Sequence, residues 1–208
     1  MTFTELFNSN FYNTDKDKHN YLQAYDKLFY EYRDKKINLL EVGVHEGGSL
    51  LLWKDYFSNG TIYGMDNNPE ITLVKDIYRY RLNRNIFRSD SRRKKEVDKQ
   101  LRDLKFDIII DDGDHRFGAQ LKTYMNLKHR LKENGIYIIE DVKPTLKSFR
   151  KFEYFKFNNI DCRIYKNKII QNTEDSNLMV WRYKKWRYQS NIAWNETTNR
   201  ELVVYEMI

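Results

Sequence analysis

One cysteine, Cys162, stands among 208 residues. A lone thiol excludes an internal disulfide framework and suits a reducing compartment, so a cytoplasmic location is expected. No run of eighteen apolar residues occurs, which excludes an ordinary membrane-spanning helix. The first residues, Met-Thr-Phe-Thr-Glu-Leu-Phe, lack the basic and apolar regions of a secretion signal. Two prolines and eight glycines leave no flexible linker, and neither a repeat nor a low-complexity tract is present. A single domain over 1–208 follows, with 1–36 as a glycine-free leader packed on the core and 144–208 as a segment that completes the sheet.

Charge is not scarce. Thirty-seven basic residues against thirty acidic give a net +7. Arg88, Arg92, Arg93, Lys94 and Lys95 form one basic cluster; Arg182, Lys184, Lys185 and Arg187 form another, interleaved with Trp181, Tyr183, Trp186 and Tyr188. Basic residues alternating with aromatics can make a nucleic-acid surface. They can equally be the exposed face of a sheet, and +7 is modest for a nucleic-acid protein.

Apolar periodicity divides the chain into alternating elements. Leu22, Tyr25, Leu28 and Phe29 fall on one side of a helix expected over 20–33. Strands are expected at 37–43, 61–65, 85–88, 107–111 and 136–139, and helices at 49–57, after Pro69, at 92–104 and at 122–131, the last stopped by Asn134-Gly135. The tail beyond Lys143 reads as a helix and two or three strands, including 177–183. This pattern predicts an α/β fold: a doubly wound, mostly parallel seven-stranded sheet of the Rossmann-like kind, behind an N-terminal helical leader.

Two stretches carry chemistry. The first, 106–116, runs Phe-Asp-Ile-Ile-Ile-Asp-Asp-Gly-Asp-His-Arg, a doubly buried strand that ends in three carboxylates and a histidine. Ligands bind outside the carboxyl ends of such strands. The plainer alternative is a polar turn capping the next helix. The second stretch is Glu41-Val-Gly43-Val-His-Glu-Gly47-Gly48-Ser49, between the first strand and its helix. Its glycines allow close approach to the backbone, and the helix start offers free N–H groups. It departs from the dinucleotide fingerprint by carrying Glu41 two residues before the first glycine, which favours a positively charged ligand. Asp66, ending the second strand, can accept hydrogen bonds from ribose hydroxyls.

Glu41-x-Gly43-x-x-x-Gly47 with Asp66 resembles the S-adenosylmethionine loop of class I methyltransferases. That resemblance implies that Glu41, Gly43, Gly47 and Ser49 surround the methionine part, that Asp66 holds the ribose, and that Ser89 and Asp90 meet the adenine. Asp111 is expected on the cofactor side. A narrower resemblance rests on Thr14-Asp15-Lys16 with His19 and Tyr21, Asp111-Asp112-Gly113-x-His115 and Glu140-Asp141. In this order they are similar to the magnesium-dependent macrocin and mycinamicin type of sugar O-methyltransferase. By that resemblance Asp112, Glu140 and Asp141 bind Mg2+ or a similar divalent cation and His115 is the general base. Lys16, His19, Tyr21 and Arg116 are the expected substrate residues, and a phosphate on the acceptor could meet Lys16, Arg88 or Arg116. Asp114 stands where the group usually has a small residue, and its role stays open.

Physical chemistry agrees with that set. Adjacent strand ends bring carboxylates together, and magnesium prefers oxygen ligands. A histidine can take the proton of a sugar hydroxyl while a cation stabilises the alkoxide. The reading is an S-adenosylmethionine-dependent, metal-assisted O-methyltransferase whose partner is a carbohydrate acceptor, free, phosphorylated, nucleotide-linked or part of a glycosylated metabolite. Homo-oligomerisation is left open. The alternatives are an RNA methyltransferase that uses the aromatic, basic tail over 181–194, and a cofactor-binding scaffold without catalysis.

Overall fold

In the computed structural model the described residues are 1–19, 21–68 and 85–141, together with the backbone of two strands at 160–166 and 177–183. Five parallel strands carry the architecture: β1 (Asn38–Val42), β2 (Thr61–Asp66), β3 (Ile86–Arg88), β4 (Phe106–Asp111) and β5 (Leu131–Ile139). Strands β6 (Ile160–Lys166) and β7 (Asn177–Tyr183) extend it, β7 pairing antiparallel with β5 and β6 antiparallel with β7. The order is β3-β2-β1-β4-β5-β7-β6. The order in which strands are added reverses between β1 and β4, which pair parallel in register Leu40 to Ile109 and Val42 to Asp111. A crevice opens at such a switch point.

Period-two alternation explains why these apolar runs are strands. Leu39, Ile108, Ile110, Ile136 and Ile138 join one buried cluster, whereas Leu40, Val42, Ile109, Tyr137 and Ile139 join another. Successive side chains of a strand point to opposite faces, so both faces are covered. The leader covers the first face. Its helix Tyr21–Phe29 buries Tyr21, Leu22, Tyr25, Leu28 and Phe29, a stripe at helical spacing. Phe3 stacks on Tyr56 with ring centroids 3.5 Å apart and meets Trp53 edge-on at 5.3 Å. Helices Lys94–Leu101 and Phe117–Leu127 cover the second face through Val97, Leu101, Tyr124 and Leu127.

One expected boundary is corrected. The helix predicted over 122–131 occupies Phe117–Leu127, tightens into a 3-10 turn at Lys128–Arg130, and gives way to β5 at Leu131. Asn134-Gly135 does not stop a helix; it lies inside β5, where the pairing register with β4 shifts between Phe106 and Ile108. Asn134 has φ 62°, and a Cβ on Gly135 would lie 2.8 Å from Leu131 Cγ and 2.9 Å from the Asp107 carbonyl oxygen. An Asn-Gly pair that tolerates positive φ and close backbone approach makes a bulge as readily as a cap. The helix expected after Pro69, the tail helix, and the aromatic and basic side chains over 181–194 lie outside the described residues. Among the described residues, no helix is long and apolar enough to cross a membrane.

Candidate active site

The carboxyl ends of β1, β2, β3 and β4 open on a cleft of about 760 Å³. Its first wall is the turn after β1. Gly43 has φ 88°, and its N–H donates to the Met65 carbonyl at 2.9 Å. A Cβ there would come within 2.1 Å of the Asp112 carbonyl oxygen, so only glycine lets the β1 and β4 loops lie against one another. Gly47, also left-handed at φ 87°, caps the helix Gly48–Tyr56. Asp66 Oδ2 accepts from the Val44 N–H at 2.8 Å and from His45 at 3.3 Å, tying the end of β2 to this turn.

On the β3 side, Ser89 and Asp90 line the cleft. Ser89 is buried and its hydroxyl has no hydrogen-bond partner among the described residues. Asp90 is held by Arg92, whose Nε donates at 2.8 Å and whose second guanidinium nitrogen donates at 2.9 Å. That contact pulls the Asp90 carboxyl below its ordinary value.

The opposite wall carries the acid and histidine cluster. Asp112, His115 and Asp141 each offer one ligand atom within 4.8 Å of the others, and all three line the cleft. His115 Nε2 lies 3.5 Å from Asp112 Oδ1 and its Nδ1 lies 3.4 Å from Asp141 Oδ2. The contact with Asp112, then the charges of Asp141 and Asp112, raise the imidazole above its ordinary value against the opposing effect of burial. Asp141 sits at φ 51°, and its Oδ1 accepts from the Tyr21 hydroxyl at 2.6 Å.

Asp112 also belongs to an inner group with Glu41 and Glu140, and Lys16 stands in the middle of it. Lys16 Nζ donates to Asp112 Oδ2 at 2.7 Å and to the two Glu140 oxygens at 2.9 and 2.8 Å, and lies 3.3 Å from Glu41 Oε1. Tyr25 donates to Glu140, and Ser49 donates to Glu41 Oε2 at 2.7 Å. Burial by itself would lower the lysine, but Asp112, Glu140 and Glu41 outweigh it and hold the ammonium well above its ordinary range. Burial pushes Glu41 and Glu140 up.

Of the residues expected to contact ligands, Gly43, Ser49, Asp66, Ser89, Asp90, Asp112, His115, Arg116 and Asp141 line the cleft. Glu41, Gly47, Asp111, Glu140, Lys16, His19 and Tyr21 do not. Asp111 is buried with Oδ2 unpartnered among the described residues, and burial raises its carboxyl to about 8. Lys16, expected at the substrate, stands at the buried centre of the acid cluster, where three carboxylates converge on it. Tyr21 is buried and spends its hydroxyl on Asp141, while His19 Nε2 lies 3.4 Å from Asp15. Asp114 accepts from Arg92 at 3.0 Å and from Arg116 at 2.5 Å, so it braces the loop by ion pairs. Sequence reading passed over Lys18 and Arg92, both on the cleft lining; Arg92 stood in the basic cluster without a signal of its partner. It also passed over Tyr25, visible only as an apolar position of a helix.

Comparison with known proteins fits this geometry. A family model described as a methyltransferase domain matches residues 40–142. The chain is 32% identical over 147 residues to 8-demethyl-8-alpha-L-rhamnosyl tetracenomycin-C 2'-O-methyltransferase of Streptomyces olivaceus, covering 61% of this chain and 34% of that one. It is 32% identical over 133 residues to mycinamicin VI 2''-O-methyltransferase of Micromonospora griseorubida, covering 60% and 32%. The chain thus spans about a third of the length of these curated relatives. Among solved structures, MycE methyltransferase in complex with Mg, SAH and mycinamycin VI superposes with a TM-score of 0.68 at 24% identity, over 88% of this chain and 55% of that one. Strand order, the turn after β1 and these matches converge: residues 40–142 match the methyltransferase domain, and the chain has the fold of the MycE methyltransferase.

Proposed function

We propose that this chain transfers a methyl group from S-adenosylmethionine to a hydroxyl of a sugar borne on a larger small molecule, with a divalent cation held in the acidic half of the cleft. The observation that carries this reading is a single cavity: the glycine turn after β1 and the Asp112–His115–Asp141 cluster face the same 760 Å³. The names of the curated relatives support a sugar acceptor, and the Mg and SAH of the MycE complex support both cofactors.

The residues present fit those groups. The buried, unpartnered Ser89 hydroxyl on the cleft wall is a ready hydrogen-bond partner for a nucleoside. Asp66 accepts from Val44 and His45 N–H on Oδ2 and from Asn68 N–H on Oδ1 at 2.8 Å, which leaves a lone pair on Oδ1 for a ribose hydroxyl. Asp112 and Asp141 supply the hard oxygen donors a magnesium-like cation takes, with Glu140 adjacent through Asp112. Bound there, S-adenosylmethionine would supply a methyl on a positively charged sulfur, and the cation would supply charge stabilisation for an alkoxide.

The chain's own residues do the rest. His115, neutral and released at one nitrogen, takes the proton of the acceptor hydroxyl. Asp112 and Asp141 flank both imidazole nitrogens and stabilise the imidazolium that results. Gly43 and the Gly48–Tyr56 helix start position one reactant and the 112–116 loop the other, so alignment within one cleft lowers the entropic part of the barrier. Lys18 and Arg116 on the lining give the cleft cationic contacts, and a phosphorylated or nucleotide-linked sugar would use them.

The test is methyl transfer from labelled cofactor to a panel of deoxysugar glycosides, nucleotide sugars and RNA, with Mg2+ and with EDTA. Label is expected on a glycoside or a nucleotide sugar, lost with EDTA and restored by Mg2+. Label on RNA alone overturns the acceptor reading, and activity indifferent to chelation removes the cation.

A further inference from the structure

The leader does more than cover the sheet. Residues 13–15 and 18 line the cleft directly, and the segment is pinned on both sides of Lys16. Before it, the Tyr12 hydroxyl donates to Asp55 at 2.9 Å and Asn13 Nδ2 donates to Glu46 at 2.5 Å. After it, the Tyr21 hydroxyl holds Asp141 at 2.6 Å. Between these ties, Lys16 is 1% exposed, its ammonium 5.9 Å from the Trp53 ring and in contact with three carboxylates.

Two acidic groups, Glu41–Asp112–Glu140 and Asp112–His115–Asp141, share one residue, Asp112. Its two oxygens face different ways: Oδ2 toward Lys16 at 2.7 Å and Oδ1 toward His115 at 3.5 Å. Both Glu140 oxygens also meet the ammonium, and Glu41 Oε1 faces it at 3.3 Å without another partner. The inner group therefore already holds a cation, and that cation belongs to the chain. Buried carboxylates this close need a counter-charge, since an uncompensated buried charge is strongly destabilising.

We propose that Lys16 is a positioning residue for the cation site: its ammonium is a built-in cation that fills the inner acidic group, orients the shared Asp112, and leaves room for one divalent ion, on the cleft side. This rests on the divalent-cation reading of the function and adds the ion count, and the residue that sets it. It also gives the leader a direct part in the site, because the ammonium comes from the segment that walls the cleft.

Mn2+ binding to the chain over 1–208, counted by electron paramagnetic resonance without cofactor or acceptor, tests this. The wild type is expected to bind one Mn2+ per chain. Lys16→Met, which keeps most of the length of the side chain and removes its charge, is expected to bind two, the second entering the vacated inner group. Lys16→Met/Glu41→Gln, which also removes one inner carboxylate, is expected to return to one. A Lys16→Met protein that binds one ion with unchanged affinity overturns the proposal. Should Lys16→Met fail to fold, folding restored by millimolar Mn2+ or by the added Glu41→Gln supports it, and restoration by neither overturns it. Wild-type protein that takes up no Mn2+ refutes the divalent-cation reading instead, and the folding comparison then decides the role of the ammonium by itself.

Discussion

Replacing Gly48 by alanine would put a methyl group where the leader crosses the first helix. A Cβ at Gly48 would lie 2.1 Å from the Asn13 carbonyl oxygen, 2.4 Å from its carbon and 2.6 Å from its nitrogen. Real contacts of this kind stay above 3.0 Å, so the backbones must separate by at least 3.0 − 2.1 = 0.9 Å. The helix cannot supply the movement, because Leu50, Leu51, Leu52 and Trp53 are fully buried in the core. The leader must move. Carried three residues along to Lys16, the same shift stretches its 2.7 Å contact with Asp112 to about 3.6 Å, outside hydrogen-bond range. Better helix propensity returns at most about 1 kcal/mol, whereas overpacking costs about 1–3 kcal/mol and breaking a buried ion pair about 3–5 kcal/mol. Moving the leader far enough to free Lys16 breaks that buried pair, so after the gain in propensity the net loss is about 2–5 kcal/mol. For a chain of this size that lowers the melting temperature by about 4–20 °C. Scanning calorimetry gives the shift, and limited trypsin digestion shows whether Lys16 and Lys18 have become cleavable. A Gly48→Ala protein that melts within about 1 °C of the wild type, with both lysines still protected, would refute the reasoning.

Three further expectations concern the acid side of the cleft. Tyr21→Phe removes the hydroxyl that Asp141 accepts at 2.6 Å; a hydrogen bond to a charged group is worth about 1.5–3 kcal/mol, so thermal stability and Mn2+ affinity should both fall, and no change in either would show that the contact holds nothing. His115 is raised above its ordinary value by Asp112 and then by Asp141, so its contribution to stability is full below its unfolded pKa of about 6.5 and is lost as pH rises through the folded value. Imidazole NMR of cation-free protein, assigned by difference against His115→Asn, should give a midpoint above about 6.5 that falls when Mg2+ is added; a midpoint below that value contradicts the geometry. Asp114→Asn loosens the Arg92 and Arg116 brace and should leave the His115 midpoint unmoved, since Asp114 is spent on arginines; a fall would mean that Asp114 acts on the histidine after all.

The parallel sheet was legible because its evidence is local. Ile108, Ile109 and Ile110 sit on alternate faces, and a run apolar at every position belongs to a strand covered on both sides. The turn after β1 was legible because Gly43 and Gly47 both take positive φ, a demand that leaves its mark on residue type. Asn134-Gly135 misled because the same pair serves a helix end and a bulge, and only pairing with β4 separates them. The partners of Lys16 and Tyr25 were not legible for another reason. Nothing near either in the chain signals its partners, which come from the ends of β1, β4 and β5.

By itself, the sequence determined the fold class, the strand ends on which ligands gather, and the residue types that can hold a cation or take a proton. Those follow from periodicities of two and 3.6 residues and from side-chain chemistry, which neighbouring residues display. Tertiary structure decided which of those residues meet. It joined Asp112, His115 and Asp141 on the cleft, and it set Lys16 in the middle of the acid cluster. It also bound Asp114 to arginines rather than to the histidine. Charge pairing acts over about 3 Å between residues up to 124 apart in the chain, as Lys16 and Glu140 are, and only the folded backbone sets that distance.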